Sequence, residues 1–232
     1  MNKYLRLLRI HQWYKNGIAL IPLVFSGELL NISKVFLSLS GFLIFCLLSS
    51  SIYILNDIKD REEDKKHPSK KHRPIASGEV SIKEGLIISF ILLLTSLTIA
   101  YLSSPKILVI IVLFIISNLL YTYWAKHKFL LDNMFIGFNF ILRAVGGAIV
   151  ISVAVSGWLL VFVYLFANYL AFAKRRSEST KADFSHRKNL TTYVKIVDFY
   201  LVSSATLLIV VYIIYVFATQ RTGLIPSIPF LV

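Results

Sequence analysis

Three aspartates and an asparagine recur at helical spacing in Asn56-Asp57-x-x-Asp60-x-x-x-Asp64. At about 100° per residue, Asp57, Asp60 and Asp64 share one face of a continuing helix, with Asn56 one turn before Asp60. Three carboxylates this close repel one another unless a cation sits between them. Hard oxygen donors in this number suit magnesium (Mg2+), which keeps several waters and recruits substrate phosphates. The competing reading is a solvated helix end neutralised by Lys59, Arg61, Lys65 and Lys66. Because the motif abuts an apolar run, metal and phosphate chemistry is the expectation, with Asn56, Asp57, Asp60 and Asp64 as the metal ligands.

Basic residues follow at once in His67-Pro68-Ser69-Lys70-Lys71-His72-Arg73-Pro74-Ile75-Ala76-Ser77-Gly78. Two prolines and a glycine make this a loop. Lys70 and Lys71 supply point charges and Arg73 a fork suited to phosphate, although a headgroup-facing loop has the same composition. Further along, Lys174-Arg175-Arg176-Ser177-Glu178 spaces Lys174 and Arg175 four and three residues before Glu178, so the three can converge. An exposed ion pair of little energetic weight is the alternative there. Arg143 lies inside an apolar run, where a charge is expensive and by default faces a cavity or a partner. Lys126 ends another run and is either a phosphate contact or a headgroup anchor. Gln12-Trp13-Tyr14-Lys15-Asn16 reads first as an interfacial anchor, with Lys15 and Asn16 able to face a polar cavity. Cys46 stands alone in an apolar run, a small buried or lipid-facing residue with no disulfide framework.

The elements that must hold these residues are membrane spans. The chain has 232 residues, 56% hydrophobic and 16% charged, with mean hydropathy +0.71 and a formal net charge of +13. That is too apolar for an ordinary soluble domain, or for a disordered one. A ruler of about 20 apolar residues per crossing gives spans near Gly17–Leu30, Val35–Leu55, Leu86–Leu102, Ile107–Trp124, Met134–Val153, Trp158–Ala173 and Phe199–Phe217, with a short apolar piece from Leu224 to Val232. Backbone groups in lipid must be satisfied internally, and unbroken apolar runs of this length fit helices rather than barrel strands. The expected fold is therefore an all-α polytopic bundle of seven helices and the start of an eighth, in one domain over 1–232. With the N-terminus inside, 21 of the 25 Lys and Arg fall on one side, a positive-inside pattern that removes any need for a nucleic-acid partner. It places the chain in the cell (inner, cytoplasmic) membrane with its acidic and basic motifs at the cytoplasmic face. The acids, which the rule does not explain, cluster on that same side.

Taken together, these motifs resemble the UbiA superfamily of intramembrane transferases, over the whole chain from Arg9-Ile10-His11-Gln12-Trp13-Tyr14-Lys15-Asn16 onward. The NDxxDxxxD pattern at 56–64 is the most specific part. Where the wider family has a second Asp-rich motif, this chain reads Lys-Arg-Arg-Ser-Glu. With the HPxKxxRPxAxG loop and the Asp132…Leu142-Arg143-Ala144 pattern, it is similar to the branch of decaprenyl-phosphate phosphoribosyltransferases. The resemblance implies Mg2+-dependent transfer of 5-phosphoribose from phosphoribosyl diphosphate (PRPP) to a polyprenyl phosphate. It implies catalytic roles for Asp57, Asp60, Asp64 and Glu178. Substrate contacts would come from Lys15, Asn16, Lys70, Lys71, Arg73, Lys126, Arg143, Lys174 and Arg175. Homo-oligomeric assembly is compatible with it, and because family members usually have nine helices, the resemblance implies that the last one or two of them are missing from this sequence. The competing expectations are a prenyltransferase acting on an aromatic or other acceptor and, in a different class, a small membrane transporter.

Overall fold

The computed structural model describes residues 2–125, 128–181 and 190–221. The described residues are helical almost throughout and fall into two compact units, Met1–Asn118 with Arg143–Ala154, and Leu119–Leu142 with Val155–Val232. Among the described residues six helices are long and apolar enough to cross a membrane: Ile32–Lys59, Ile82–Ser103, Ile107–Ala125, Leu131–Val150, Gly157–Ser177 and Val194–Phe217. The chain is a multi-pass membrane protein.

In the first unit, helix α1 (Lys3–Leu7) leads into a 3-10 helix over Ile10–Leu20 and then α2 (Ile21–Phe25). The crossing expected over Gly17–Leu30 is thus not one long α-helix. Pro22 lies at the start of α2, where its missing N–H is harmless, and Gly27 turns the chain out at φ 72°. The preceding residues wind more tightly, so at about 2.0 Å per residue fewer of them cover a given depth.

Helices α3 (Ile32–Lys59) and α5 (Ile82–Ser103) form the spine of this unit. Small residues at 85, 89, 96 and 103 place a narrow stripe on α5 and let the backbones approach. Ser103 Oγ meets Ser40 Oγ at 3.0 Å, Ser96 Oγ donates to the Ile44 carbonyl at 3.1 Å, and Ser51 and Ser89 exchange hydroxyl bonds at 2.9 Å. A Cβ on Gly85 would press on Ile75, Ile58 and Ile54. The opposite face of α5 exposes Leu86, Ile87, Phe90, Ile91 and Leu94, as a lipid-facing side should.

Between these helices, α4 (Arg61–Lys66) and a 3-10 turn at Lys70–His72 carry the inner loop. Helix α6 (Ile107–Leu120) and the last turns of α7 (Phe129–Val150) complete the unit. Gly147 allows a close approach, since a Cβ there would collide with the Ala19 carbonyl, and one on Gly146 would strike the Phe45 ring.

The second unit holds a π-turn at Tyr121–Ala125, the first part of α7, α8 (Gly157–Lys181) and α9 (Leu190–Arg221). α8 and α9 run antiparallel. Trp158 meets Tyr215 edge-on at one end, and Phe172 stacks on Tyr200 at 5.3 Å nearer the other.

Candidate functional site

The acidic motif does not continue as one helix. Asp60 caps α3 with φ −85° and ψ 6°, and α4 begins at Arg61. The interruption is slight, because Asp64 N–H still donates to the Asp60 carbonyl at 2.8 Å. Asp57 and Asp64 therefore stay on one side and are both buried, each 2% exposed. Asn56 and Asp60 are half-buried and engage other groups.

Two arginines neutralise the buried pair. Arg73 Nη1 donates to Asp57 Oδ1 at 3.1 Å and to Asp64 Oδ2 at 2.6 Å, so one nitrogen bridges both carboxylates. Arg9 pairs with the same Asp57 oxygen, with its guanidinium 5.0 Å from the Tyr53 ring centroid. Lys70 Nζ stands 4.0 Å from Asp64, whereas Lys71 is exposed.

The loop that carries Arg73 is braced by its own apolar residues. Ile75 and Val80 are buried with Leu7 and Ile54 in one cluster. Val80 N–H donates to the Pro74 carbonyl at 3.0 Å across a turn that Gly78 makes at φ 83°. Helix α1 straps it from outside. Arg6 pairs with Glu79, Lys3 Nζ donates to the Glu79 carbonyl at 3.3 Å, and Tyr4 Oη donates to Glu84 at 2.8 Å. The Arg6 guanidinium holds the Glu79 carboxyl below its ordinary value, as Lys65 does for Glu62.

A second polar centre lies among the spans of the same unit. Arg143, 6% exposed, donates from Nε to Asn16 Oδ1 at 2.7 Å and lies 4.7 Å from the Phe114 ring centroid. Ser49 also donates to Asn16 Oδ1, at 3.3 Å, while Asn16 Nδ2 donates to Cys46 Sγ at 3.4 Å. The cysteine is buried, as its setting implied. Lys15 points to Gln12 at 3.3 Å. Trp13 faces inward rather than anchoring at an interface, with Nε1 donating to Ser50 at 3.0 Å, whereas Tyr14 is exposed.

In the second unit, Arg175 pairs with Asp132 on α7, and Arg176 Nε donates to Asp198 on α9 at 2.6 Å. Lys174 is exposed. The expected convergence of Lys174 and Arg175 on Glu178 involves a side chain outside the described residues, and Lys126 lies outside them as well. Sequence reasoning assigned no role to Arg9. The available signal was the three-residue spacing of Lys3, Arg6 and Arg9; Lys3 and Arg6 lie on α1 and reach Glu79, and Arg9, just beyond it, reaches Asp57.

Would these residues suit Mg2+? Among the described residues no three His, Cys, Asp or Glu side chains gather into a ligand set. Magnesium does not need that. It is commonly held by one or two carboxylates, with waters and substrate phosphates completing the octahedron. Asp57 and Asp64, with oxygens already sharing one cationic donor, fit that two-carboxylate pattern. Basic residues on the adjoining loop fit the phosphates.

Residues 19–232 match the model of the UbiA prenyltransferase family. The chain is 30% identical over 227 residues to the decaprenyl-phosphate phosphoribosyltransferase of Mycolicibacterium smegmatis, covering 94% of this chain and 71% of that protein. It is 36% identical over 186 residues to an uncharacterized protein of Sinorhizobium fredii, covering 80% of this chain but 36% of that longer one. Among solved structures, a UbiA homolog from Archaeoglobus fulgidus bound to GPP and Mg2+ superposes with a TM-score of 0.71 over 91% of this chain and 76% of its own, at 18% identity. Its likeness is one of fold. By family model, relatives and fold together, this chain belongs to the UbiA prenyltransferase family.

Proposed function

We propose that this protein transfers 5-phosphoribose from PRPP to a polyprenyl phosphate and releases pyrophosphate. The observation that carries this reading is the buried Asp57–Asp64 pair, bridged by an arginine from a basic loop at the inner end of a membrane span. A phosphorylated, metal-chelating donor on one side and a lipid acceptor on the other match that placement. Similarity to proteins named decaprenyl-phosphate phosphoribosyltransferase over nearly the whole chain supports the choice of substrates. The whole chain acts as one transferase domain in this reading. By the positive-inside pattern its N-terminus and site face the cytoplasm, in the cytoplasmic membrane.

Asp57 and Asp64, helped by Asn56 and Asp60, would hold Mg2+, which supplies charge neutralisation at the departing diphosphate. Arg73, Lys70 and Lys71 bind and orient the donor's phosphates, the arginine through its fork and the lysines as point charges. Lys174 and Arg175 are assigned to phosphate as well, Lys126 to the acceptor headgroup, and Glu178 to a ribose hydroxyl or a basic neighbour. As the bond from C1 to the diphosphate oxygen breaks, the ribose takes on oxocarbenium character. A phosphate oxygen of the lipid then forms the new bond to C1. That oxygen is anionic at neutral pH, so no side chain has to remove a proton from it. Deep in the span, Arg143, set by Asn16, gives the bilayer-borne phosphate a cationic mark, with Lys15 near the same segment.

One observation favours a second reading, prenyl transfer from a polyprenyl diphosphate. Arg175, a proposed grip for the donor's extra phosphate, is already paired with Asp132. Membranes containing the protein, incubated with Mg2+, a polyprenyl phosphate and labelled PRPP, should yield a polyprenyl-phosphoryl-phosphoribose by mass spectrometry. A prenylated acceptor formed from labelled prenyl diphosphate, with no phosphoribosyl lipid, would replace the first reading with the second.

A further inference from the structure

The two arginines at the acidic pair are built differently. Arg9 sits at φ 51°, a backbone conformation that a non-glycine residue rarely adopts and that persists only where contacts fix it. Those contacts are present: its guanidinium covers the Tyr53 ring and pairs with Asp57, and its side chain is 16% exposed. Arg73 projects from an extended residue of the loop, and its side chain is 27% exposed. The loop backbone around it is fixed by Ile75, Val80 and the Pro74–Val80 bond. Movement at Arg73 is therefore a side-chain rotation that leaves the loop intact.

Its position is equally specific. A single Nη1 stands between Asp57 and Asp64, where a cation shared by two carboxylates would stand. Two buried carboxylates and two arginines are neutral together. A divalent cation added to that set would leave a buried excess of two positive charges, which a low-dielectric site resists. If Arg73 rotates away as the cation arrives, the excess falls to one, and an anionic ligand on the cation offsets it. The released guanidinium is then within one side-chain length of that ligand and suited to a phosphate.

We propose that Arg73 is a placeholder for the divalent cation, so that the metal and a diphosphate bind cooperatively, while Arg9 is a fixed counter-ion that positions Asp57. This rests on the metal and phosphate assignment above and adds the coupling between the two. Metal alone must displace Arg73 and binds weakly. A diphosphate offers the displaced arginine a new partner and so strengthens metal binding, and by reciprocity the metal strengthens diphosphate binding.

The test needs no turnover. Mn2+ binding to the purified full chain in nanodiscs is measured by electron paramagnetic resonance, with and without inorganic pyrophosphate. Mixtures are corrected for Mn2+ held by pyrophosphate in solution. In the wild type, pyrophosphate should raise Mn2+ affinity at the protein by about tenfold, within the usual range of coupling between sites. Arg73→Gln should bind Mn2+ alone about tenfold more tightly than wild type and lose most of the pyrophosphate effect. Arg73→Lys, which keeps the charge without the fork and so guards against a folding defect in the glutamine variant, should fall between them. Arg9→Gln should not gain affinity. Equal Mn2+ affinity in wild type, Arg73→Gln and Arg73→Lys overturns the placeholder while leaving the metal assignment standing. Absence of Mn2+ binding in all of them overturns both. The substrate reading stands or falls separately, on the labelled PRPP product.

Discussion

Asn16 and Asn133 are both buried amides, 2% and 1% exposed, one in each compact unit. Asn16 is engaged by Arg143, Ser49 and Cys46. Neither side-chain polar atom of Asn133 has a hydrogen-bond partner among the described residues. The aspartates repeat the contrast. Asp57 receives two arginines, while Asp132 uses one oxygen for Arg175 and leaves the buried Oδ1 without a partner among the described residues. A buried polar group left unmade costs about 1–3 kcal/mol. The polar centres at Asp57 and Asn16 are thus spanned by protein–protein bonds and preorganised. The Asp132–Asn133 centre retains unused hydrogen-bonding capacity, among the described residues, beside an ion pair.

The widest separation between the two units should appear in activity. Asp57→Asn keeps the shape but removes the charge that Arg9 and Arg73 share. It should lower Mg2+-dependent transfer by about a thousandfold, the order seen when a preorganised electrostatic group at a reacting centre is lost. The assay is formation of labelled phosphoribosyl lipid in membranes. Asp132→Asn should lose far less, because Asp132 acts through Arg175. Comparable losses in the two variants would erase the distinction. In stability, Gly147→Ala comes next. Its new methyl group meets backbone at Ala19 rather than a flexible side chain. Overpacking of this kind costs about 1–3 kcal/mol, read as a lower Tm in detergent.

Which parts of this were legible in the sequence? The spans were, because bilayer thickness fixes how many apolar residues a helix needs, and all six long helices found among the described residues overlap expected crossings. The acidic motif was legible from its period, and Arg143 from the expense of a charge among apolar residues. The break at Asp60 was not, since nothing in Asp-Arg-Glu-Glu disfavours a helix. Nor was the 3-10 winding of Ile10–Leu20, whose packing partner at Ala19 is Gly147, 128 residues later. The bridging of Asp57 and Asp64 by Arg73 depends on where the braced loop folds back. Sequence places these groups near one another without saying which cation lies between the acids. The pairing of Arg175 with Asp132 was hidden for the same reason, being a contact between α7 and α8 rather than within one helix.

The amide comparison gives opposite signs from one kind of substitution. Asn16→Leu removes an acceptor from buried Arg143 and should destabilise by about 2 kcal/mol, the scale for a hydrogen bond to a charged group. Asn133→Leu removes an amide with no partner among the described residues and should be neutral or raise stability by up to about 1 kcal/mol. Thermal melts of both variants in one detergent decide it. A lower Tm for Asn133→Leu as large as that for Asn16→Leu would mean that an ordered water or ligand completes Asn133.

The smallest effect concerns the strap across the basic loop. Arg6 holds Glu79 below its ordinary carboxyl value near 4.5. A depressed folded-state value means the bond contributes fully above that ordinary value and is lost as pH falls through the lower one. Both groups are solvent-accessible, so global stability should barely respond. The local consequence is confined to α1, whose anchoring also involves Lys3 and Tyr4. Amide exchange in Lys3–Leu7, corrected for the intrinsic pH dependence, should lose protection as pH drops below about 4.5. Glu79→Gln should show reduced protection at neutral pH and a flatter response to acid. The Asp132–Arg175 pair, on helices α7 and α8, should show no change in backbone protection for this substitution. If acid loosens α1 equally in Glu79→Gln, the acid response belongs to another carboxylate on the strap, such as Glu84, to which Tyr4 donates.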